Sequence, residues 1–427
     1  MSIDTDSVNF FRDKSTIVDP YPYLDAMRAQ CPVQREPHHG VYMITGFDEA
    51  TQVYNDTETF SACISVTGPF PGFPVPLEGD DISSIIEEYR DGLPFSDQLP
   101  TMDPPKHTDH RSLLMRLITP KRLKENEEFM WRLCERQMAP WIDSGKVEYI
   151  NGFGTPFAML VVADLLGVPE SDHQSFKDAL LAKAHEGGIG STTDEHLGHS
   201  PLEYLYGRFT DYIEDRRANP RDDVMSGLAT AAFPDGTMPE VIDVVRIASN
   251  LFAAGQETTV RLLSTAVMMI AEDPELQAAL RADRSLIPNF VEECLRMESP
   301  VKGDFRIARR ATEVGGVHLP AGTMVMLLNA GANRDPRKFE DPNTFDVHRA
   351  TARQHMAFGR GNHTCPGAPL ARAEAVVSLN RLLDRAANIR IDESVHGPKG
   401  ARDYHYVPTF ILRGVTRLFV EFDPVAG

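Results

Sequence analysis

The sequence predicts a mainly α-helical protein with small β-sheets, an α+β fold organised as one domain over residues 1–427. Two patterns predict this fold. Helical patterns bounded by Pro and Asp fill the middle of the chain, and the longest runs from residue 239 to about 271. Short β-like runs separated by Gly and Pro turns follow. With 42% hydrophobic and 25% charged residues, the composition is that of a globular protein that can enclose a cofactor.

The first hundred residues contain one unusual segment. Residues 68–79, GPFPGFPVPLEG, carry too many prolines for a helix, so we expect a long loop there. A helical pattern then opens at Pro104-Pro105 and ends at Thr119-Pro120, where a second helix begins because Pro is tolerated in the first turn. Long loops inside compact domains are often functional.

The second half changes from helices to short strands and back. A helix is predicted from about residue 285 to 297, and another from about 368 to 387. Residues 406–422 resemble a pair of strands joined at Arg413-Gly414. Three β-like runs are expected between the two helices, at residues 306–311, 313–319 and 323–329.

Charge and cysteine usage restrict the partners and the compartment. The formal net charge is −19, so phosphate-rich nucleic acid and anionic membranes would be repelled, and we expect neither as a partner. The five cysteines are widely spaced without a C-x-x-C pair, which disfavours a disulfide framework and a zinc ribbon. The N-terminus lacks the regions of a signal peptide, and the longest apolar stretch, residues 157–168, is too short to span a bilayer. We expect a cytoplasmic protein without a membrane anchor.

The most informative local feature is the segment FGRGNHTCPG at residues 358–367, here called the cysteine loop. Its glycines allow tight backbone paths that aim N–H groups at the sulfur of Cys365. A helix predicted just after the cysteine adds a positive dipole end. Both effects lower a thiol pKa and favour thiolate, which is a metal ligand or a nucleophile. The alternative is a buried structural cysteine.

The cysteine loop resembles the haem-binding loop of cytochrome P-450 enzymes, of pattern F-G-x-G-x-H-x-C-x-G, and every fixed position matches. The resemblance implies a cytochrome P-450 fold with haem b between the long central helix and the cysteine loop. It implies that the Cys365 thiolate is the axial iron ligand, that Phe358 lies in the cofactor site and that His363 bonds a haem propionate. The alternative role of His363 is to structure the loop.

A second match lies in the longest helix, where residues 254–259 read AGQETT. A glycine inside a helix costs roughly 1 kcal/mol against Ala, so Gly255 suggests room for a ligand, although the following threonines could simply back-bond to the preceding turn. The family motif A-G-x-[DE]-T-[TS] matches fully. It implies that Thr258 and Glu257 are catalytic, hydrogen-bonding dioxygen and delivering protons, with Ala254 and Gly255 against the cofactor.

Further matches concern structure and cofactor binding. Glu293 and Arg296 form an E-x-x-R pair on one helix face, and the family adds a second arginine, here Arg349, to a buried structural network. An isolated E-x-x-R is more often a solvated surface pair. The resemblance also implies three residues that bind the haem propionates and four residues that line the substrate pocket. The alternative is that these are ordinary surface or core residues. The ligands are His107, Arg111 and Arg306, and the pocket residues are Ala253, Val301, Phe410 and Ile411, joined by residues 63–99 and about 175–205.

The resemblance implies a haem-thiolate monooxygenase that inserts one oxygen atom from dioxygen into a C–H bond of a small hydrophobic substrate. With no fused reductase domain, electrons would come from a separate ferredoxin-type donor with its reductase. Basic residues near the cysteine loop and the 106–122 segment would steer that acidic donor. Three alternatives stay open: a peroxygenase or isomerase on the same fold, a non-catalytic haem-binding sensor, and a hydrolase using Cys365 with His363.

Overall fold

The computed structural model describes residues 3–183 and 200–425, and within them it is mainly helical with three small sheets. The fold class predicted from the sequence is therefore confirmed. The described α-helices are Lys14–Val18, Tyr21–Gln30, Phe47–Asn55, Ser83–Tyr89, Lys106–Leu114, Pro120–Met138, Thr155–Leu165, His173–Lys183, Ser200–Ala218, Val224–Ala229, Val241–Glu272, Pro274–Ala282, Ile287–Met297, Asn329–Ala332, Ala368–Arg385 and Glu393–His396.

The helix Val241–Glu272, here called the central helix, is the spine of the main core. It packs against Thr155–Leu165, Ser200–Ala218 and Ala368–Arg385. Asp273 ends it, and the Asp273 carboxylate accepts hydrogen bonds from the first backbone N–H groups of the next helix, as a capping residue does. The central helix is thus held at both flanks, which fixes the position of its middle turn.

The strands form a five-stranded, a three-stranded and a two-stranded sheet. In the five-stranded sheet Tyr42 pairs with Val325 in parallel and Arg306 pairs with the same Val325 in antiparallel register. The strands are, in sheet order, Val33–Arg35, Tyr42–Ile44, Met324–Leu327, Asp304–Ala308 and Phe60–Ser61, then Lys146–Glu148, Phe419–Pro424 and Ala386–Ile391, and finally Thr312–Val314 and Val317–Leu319. Among the described residues no helix is both long enough and apolar enough to cross a membrane.

The predicted strand pair around Arg413-Gly414 is wrong. Only one isolated bridge, Tyr406 with Val415, spans that turn, and the terminal strand Phe419–Pro424 pairs elsewhere. The reason is the buried Arg413, which bonds the carboxylate of Glu298 and so ties the segment to the helical core. The helix expected to reach residue 387 ends at Arg385, because Ala386 already belongs to a strand.

Candidate active site

The cysteine loop is a tight turn whose glycines are needed for its path. Gly359 and Gly361 have φ values of 65° and 63°, in the left-handed region that favours glycine. A Cβ on Gly361 would lie 2.4 Å from the carbonyl oxygen of Tyr54. The N–H of Cys365 donates to the carbonyl oxygen of Phe358 at 2.8 Å, which closes the loop around the cysteine.

The surroundings of the sulfur act in opposite directions. Burial raises the pKa of the Cys365 thiol, while the N–H groups of Gly367 and Ala368 and the charges of Arg111 and Arg372 lower it, and burial wins. The sequence-based expectation of a lowered thiol pKa is therefore wrong for the protein alone, because a sequence pattern does not report desolvation. A coordinating metal ion removes such a proton outright.

Four cationic or imidazole side chains predicted to bind propionates lie together beside the cysteine loop. The rings of His107 and His363 are 4.0 Å apart between centroids. Burial, followed by the nearby Arg111, lowers the pKa of His107 to about 4. Burial, followed by the nearby Arg306, lowers the pKa of His363 to about 2. The structure thus brings these side chains from a helix, a strand and the loop to one place.

This cluster is short of hydrogen-bond acceptors. Both ring nitrogens of His107 and Nε2 of His363 are buried without a partner among the described residues. Arg111 donates to the carbonyl oxygen of Thr364 at 2.6 Å and has no carboxylate partner in the described part of the chain, while Arg306 lies 3.2 Å from Asp304. Buried polar nitrogens need partners, and carboxylates suit Arg and His. The two propionates of haem fit this donor set.

The central helix presents an exposed turn in the middle of otherwise buried residues. Ala254 is exposed and Ala253 and residues 255–258 are half-buried, whereas residues 251–252 and 259–260 on either side are buried. The Thr258 hydroxyl donates to the carbonyl oxygen of Ala254 at 2.8 Å. Glu257, whose side chain is 45% exposed, pairs with Arg261 at 2.9 Å. Residues predicted to be catalytic are therefore on the accessible part of this helix.

Gly255 has a contact that the sequence pattern did not indicate. A Cβ at this position would lie 3.1 Å from Val162 on the neighbouring helix Thr155–Leu165. The glycine therefore lets two helices approach closely. The space beside Gly255 is therefore filled by helix packing, whereas the exposed residue of this turn is Ala254.

The three predicted structural residues form one buried network. Arg296 donates to both carboxylate oxygens of Glu293 at 2.7 Å, and Arg349 donates to the same carboxylate at 3.0 Å. Both side chains of the Glu293–Arg296 pair are fully buried. Arg296 also donates to the carbonyl oxygens of Asn333 and Pro342, so the network joins the helix to the long loop before the cysteine.

The predicted pocket residues differ in exposure. Ala253 and Val301 are half-buried, and Phe410 and Ile411 are buried. The Phe410 ring packs at 5.1 Å from Phe11, and it also contacts Phe70 and Phe305, so it belongs to an aromatic cluster. Most of the predicted wall at about 175–205 lies outside the described residues.

Several supporting residues were missed by the sequence analysis. Arg261 lies four residues after Glu257, a spacing that predicts a helical ion pair. Asp103 accepts from Arg90, Arg309 and Ser61 and so anchors the 63–99 segment that is predicted to line the pocket. No sequence signal links those partners, because they come from separate elements.

Comparison with known proteins agrees with this geometry. A family model described as cytochrome P-450 matches residues 235–386. Cytochrome P-450 144 of Mycobacterium tuberculosis is 33% identical over 421 residues, covering 98% of this chain and 92% of the relative. The chain belongs to the cytochrome P-450 family. This P-450 is also similar to 6-deoxyerythronolide B hydroxylase of Saccharopolyspora erythraea, at 31% identity over 95% of this chain and 96% of the relative.

Solved P-450 structures share the fold. The substrate-free form of CYP150A6 from Mycobacterium marinum matches with a TM-score of 0.94 and 52% identity, over 99% of this chain and 100% of that one. CYP109E1 from Bacillus megaterium, in complex with corticosterone, matches with a TM-score of 0.78 and 28% identity, over 96% and 99%. This P-450 is a haem-thiolate monooxygenase, in which a cysteine ligates the haem iron. Its reaction needs a substrate and an electron-donating partner.

Proposed function

We propose that this P-450, as one domain over residues 1–427, inserts one oxygen atom from dioxygen into a C–H bond of a small hydrophobic substrate. The observation that carries the site assignment is the cluster of His107, Arg111, Arg306 and His363 beside Cys365, in which three buried histidine nitrogens have no partner among the described residues. These four residues would hold the haem propionates, and Cys365 would hold the iron. Phe358, Ala254 and Gly255 would contact the cofactor. When bound, haem supplies the redox chemistry that activates dioxygen.

Thr258 and Glu257 act in proton delivery. A threonine hydroxyl can both donate and accept a hydrogen bond. The Thr258 hydroxyl donates to the carbonyl oxygen of Ala254, and rotation of the side chain can release it. The half-exposed carboxylate of Glu257 can exchange protons with water, and Arg261 holds it at a fixed place on the helix. Glu257 takes up the proton and Thr258 directs it toward the reacting oxygen.

The electron donor is a ferredoxin-type protein working with its own reductase. A cavity of about 470 Å³ opens beside the cysteine loop, and Lys338, Arg353 and Arg360 are among its lining residues. None of these three forms an ion pair with a described residue, although the protein carries a net charge of −19. An unneutralised basic face on an acidic protein favours an acidic partner. We call these three residues the docking cations.

The substrate is a neutral hydrophobic molecule, and the enzyme works in the cytoplasm. Ala253, Val301, Phe410 and Ile411 are apolar, and CYP109E1, a structural relative, is known in complex with corticosterone. The five cysteines are all free, as is usual in a reducing compartment. Neither nucleic acid nor an anionic membrane suits so negative a chain.

Ferredoxin-supported substrate turnover against ionic strength tests the donor assignment. We expect the rate to fall as salt rises, and expect the K338Q/R353Q/R360Q variant to need several-fold more ferredoxin for half-maximal rate. The matched control is R390Q, which removes a cation from the distant sheet edge. A rate that is indifferent to salt and to the triple variant would contradict the docking cations. Turnover with peroxide and none with ferredoxin would identify a peroxygenase instead.

A further inference from the structure

A buried ion cluster on the cysteine side of the fold has no part in the functions described so far. Arg372 grips the carboxylate of Glu292 with two hydrogen bonds, from Nε at 2.6 Å and from Nη2 at 2.9 Å. His355 lies 3.0 Å from the same carboxylate through Nε2. Nδ1 of His355 accepts from the N–H of Ala357, so Nε2 carries the hydrogen that it donates to Glu292. Every partner in the cluster is therefore fixed.

The guanidinium of Arg372 also lies over the ring of Phe358. Its Cζ atom is 4.7 Å from the ring centroid, which is a cation–π distance. The carbonyl of Phe358 in turn accepts the N–H of Cys365. Phe358 therefore connects Arg372 with Cys365, and the positive charge of Arg372 favours a negative charge on the sulfur.

The two charges of the cluster differ in their relation to the sulfur. Arg372 stands in the second turn of the helix Ala368–Arg385, which begins just after Cys365, and it touches the cysteine loop through Phe358. Glu292 lies on a separate helix, Ile287–Met297, and it bonds Arg372 and His355, both of which contact the Phe358 ring. The positive charge thus contacts the cysteine loop directly, and the negative charge is one residue further away by contact and partly cancels its field.

We propose that Arg372 and Glu292 are positioning residues that set the reduction potential of the iron from outside its ligand sphere. Reduction of ferric to ferrous iron would take one electron from the electron donor and lower the charge of the site by one, so a nearby positive charge would favour the reduced state and a nearby negative charge would oppose it. Arg372 raises the potential, and Glu292 moderates the field of Arg372. In E292Q the side-chain carbonyl oxygen can still accept a hydrogen bond from Arg372, so that variant tests the charge of Glu292. Glu292 is buried and Arg372 is half-buried, so salt screens this interaction less than it screens a pair on the surface.

The geometry separates this role from docking of the electron donor. The guanidinium of Arg372 donates two hydrogen bonds to Glu292 and its flat face lies over the Phe358 ring. The side chain is only 24% exposed. Arg353, by contrast, is exposed on the same face and forms no ion pair with any residue that the structure describes. The two arginines should therefore respond to different measurements.

Spectroelectrochemical titration of the haem-loaded, substrate-free protein tests the proposal. R372Q should shift the ferric/ferrous midpoint to a more negative potential, E292Q should shift it to a more positive one, and the double variant should lie between them. R372K keeps the charge and should stay nearer the wild-type value than R372Q does. R353Q should leave the potential unchanged while raising the ferredoxin concentration needed for half-maximal rate.

Other outcomes overturn the proposal. If R372Q and E292Q shift the potential in the same direction, or neither shifts it, the cluster is only structural. If R372Q changes the ferredoxin requirement and leaves the potential unchanged, Arg372 is a docking residue. Haem content and the CO stretching frequency of the ferrous CO complex are recorded for each variant. If R372Q does not retain haem, E292Q decides: a more positive midpoint supports the proposal, and an unchanged or more negative midpoint refutes it.

Discussion

Replacing Glu293 by Gln tests how much of the fold depends on one buried carboxylate. Glu293 and Arg296 have fully buried side chains, and Arg349 is 8% exposed. The neutral amide would leave two arginines buried with no full counter-charge in the described network. Breaking a buried pair from one side costs about 3–5 kcal/mol, against a total stability of about 5–15 kcal/mol. We therefore expect Glu293→Gln to remove a large share of the free energy of unfolding.

Urea unfolding followed by far-ultraviolet circular dichroism measures this loss, with one denaturant slope fitted to all variants. The matched control is Glu421→Gln, which breaks the exposed pair with Arg390, where the two side chains are 39% and 51% exposed. Such a surface pair contributes under about 1 kcal/mol. If the two variants lose equal stability, or Glu293→Gln loses less than about 1 kcal/mol, then burial does not strengthen this ion network and the reasoning is refuted.

Three further predictions concern the sulfur, the catalytic turn and a buried amine. Cys365→Ser should abolish the long-wavelength thiolate band of the reduced CO complex, whereas Cys294→Ser, in the buried core, should keep it. Thr258→Ala should lower the product formed per electron pair and raise peroxide release, and Thr265→Ala, deeper in the same helix, should change neither by as much as twofold. Burial lowers the pKa of Lys302 from 10.5 to about 7. Between pH 7 and 10.5 the unfolded state therefore binds more protons than the folded state, and the free energy of unfolding rises with pH. Lys302→Met should remove that rise, by up to about 1.4 kcal/mol per pH unit, in unfolding midpoints measured from pH 7 to 10.

Much of the site could be predicted because its motifs are short and continuous. The cysteine loop and the middle turn of the central helix each contain their functional residues within ten positions, so spacing alone indicates what can face one ligand. The fold class followed from the same kind of local evidence. The structure adds that the rings of His107 and His363 are in contact although the two residues are far apart in the chain.

The rest depended on burial and on contacts between distant segments. The direction of the Cys365 pKa could not be predicted because local N–H groups are visible in a sequence and desolvation is not. The pairing of Arg372 with Glu292 could not be predicted, since it requires two separate helices to pack. The tail was mistaken for a hairpin because the burial of Arg413 against Glu298 leaves no periodic pattern.

The sheet pairings have a consequence for how the chain reaches its native state. The strand Tyr42–Ile44 pairs with Met324–Leu327, and the strand Lys146–Glu148 pairs with Phe419–Pro424. Two strands near the start of the chain therefore have partners that are synthesised much later. During synthesis on the ribosome their edges remain unsatisfied, and such edges promote aggregation. Slower translation at low temperature, with chaperones present to cover those edges, should therefore increase the yield of properly assembled enzyme more than a stronger promoter does.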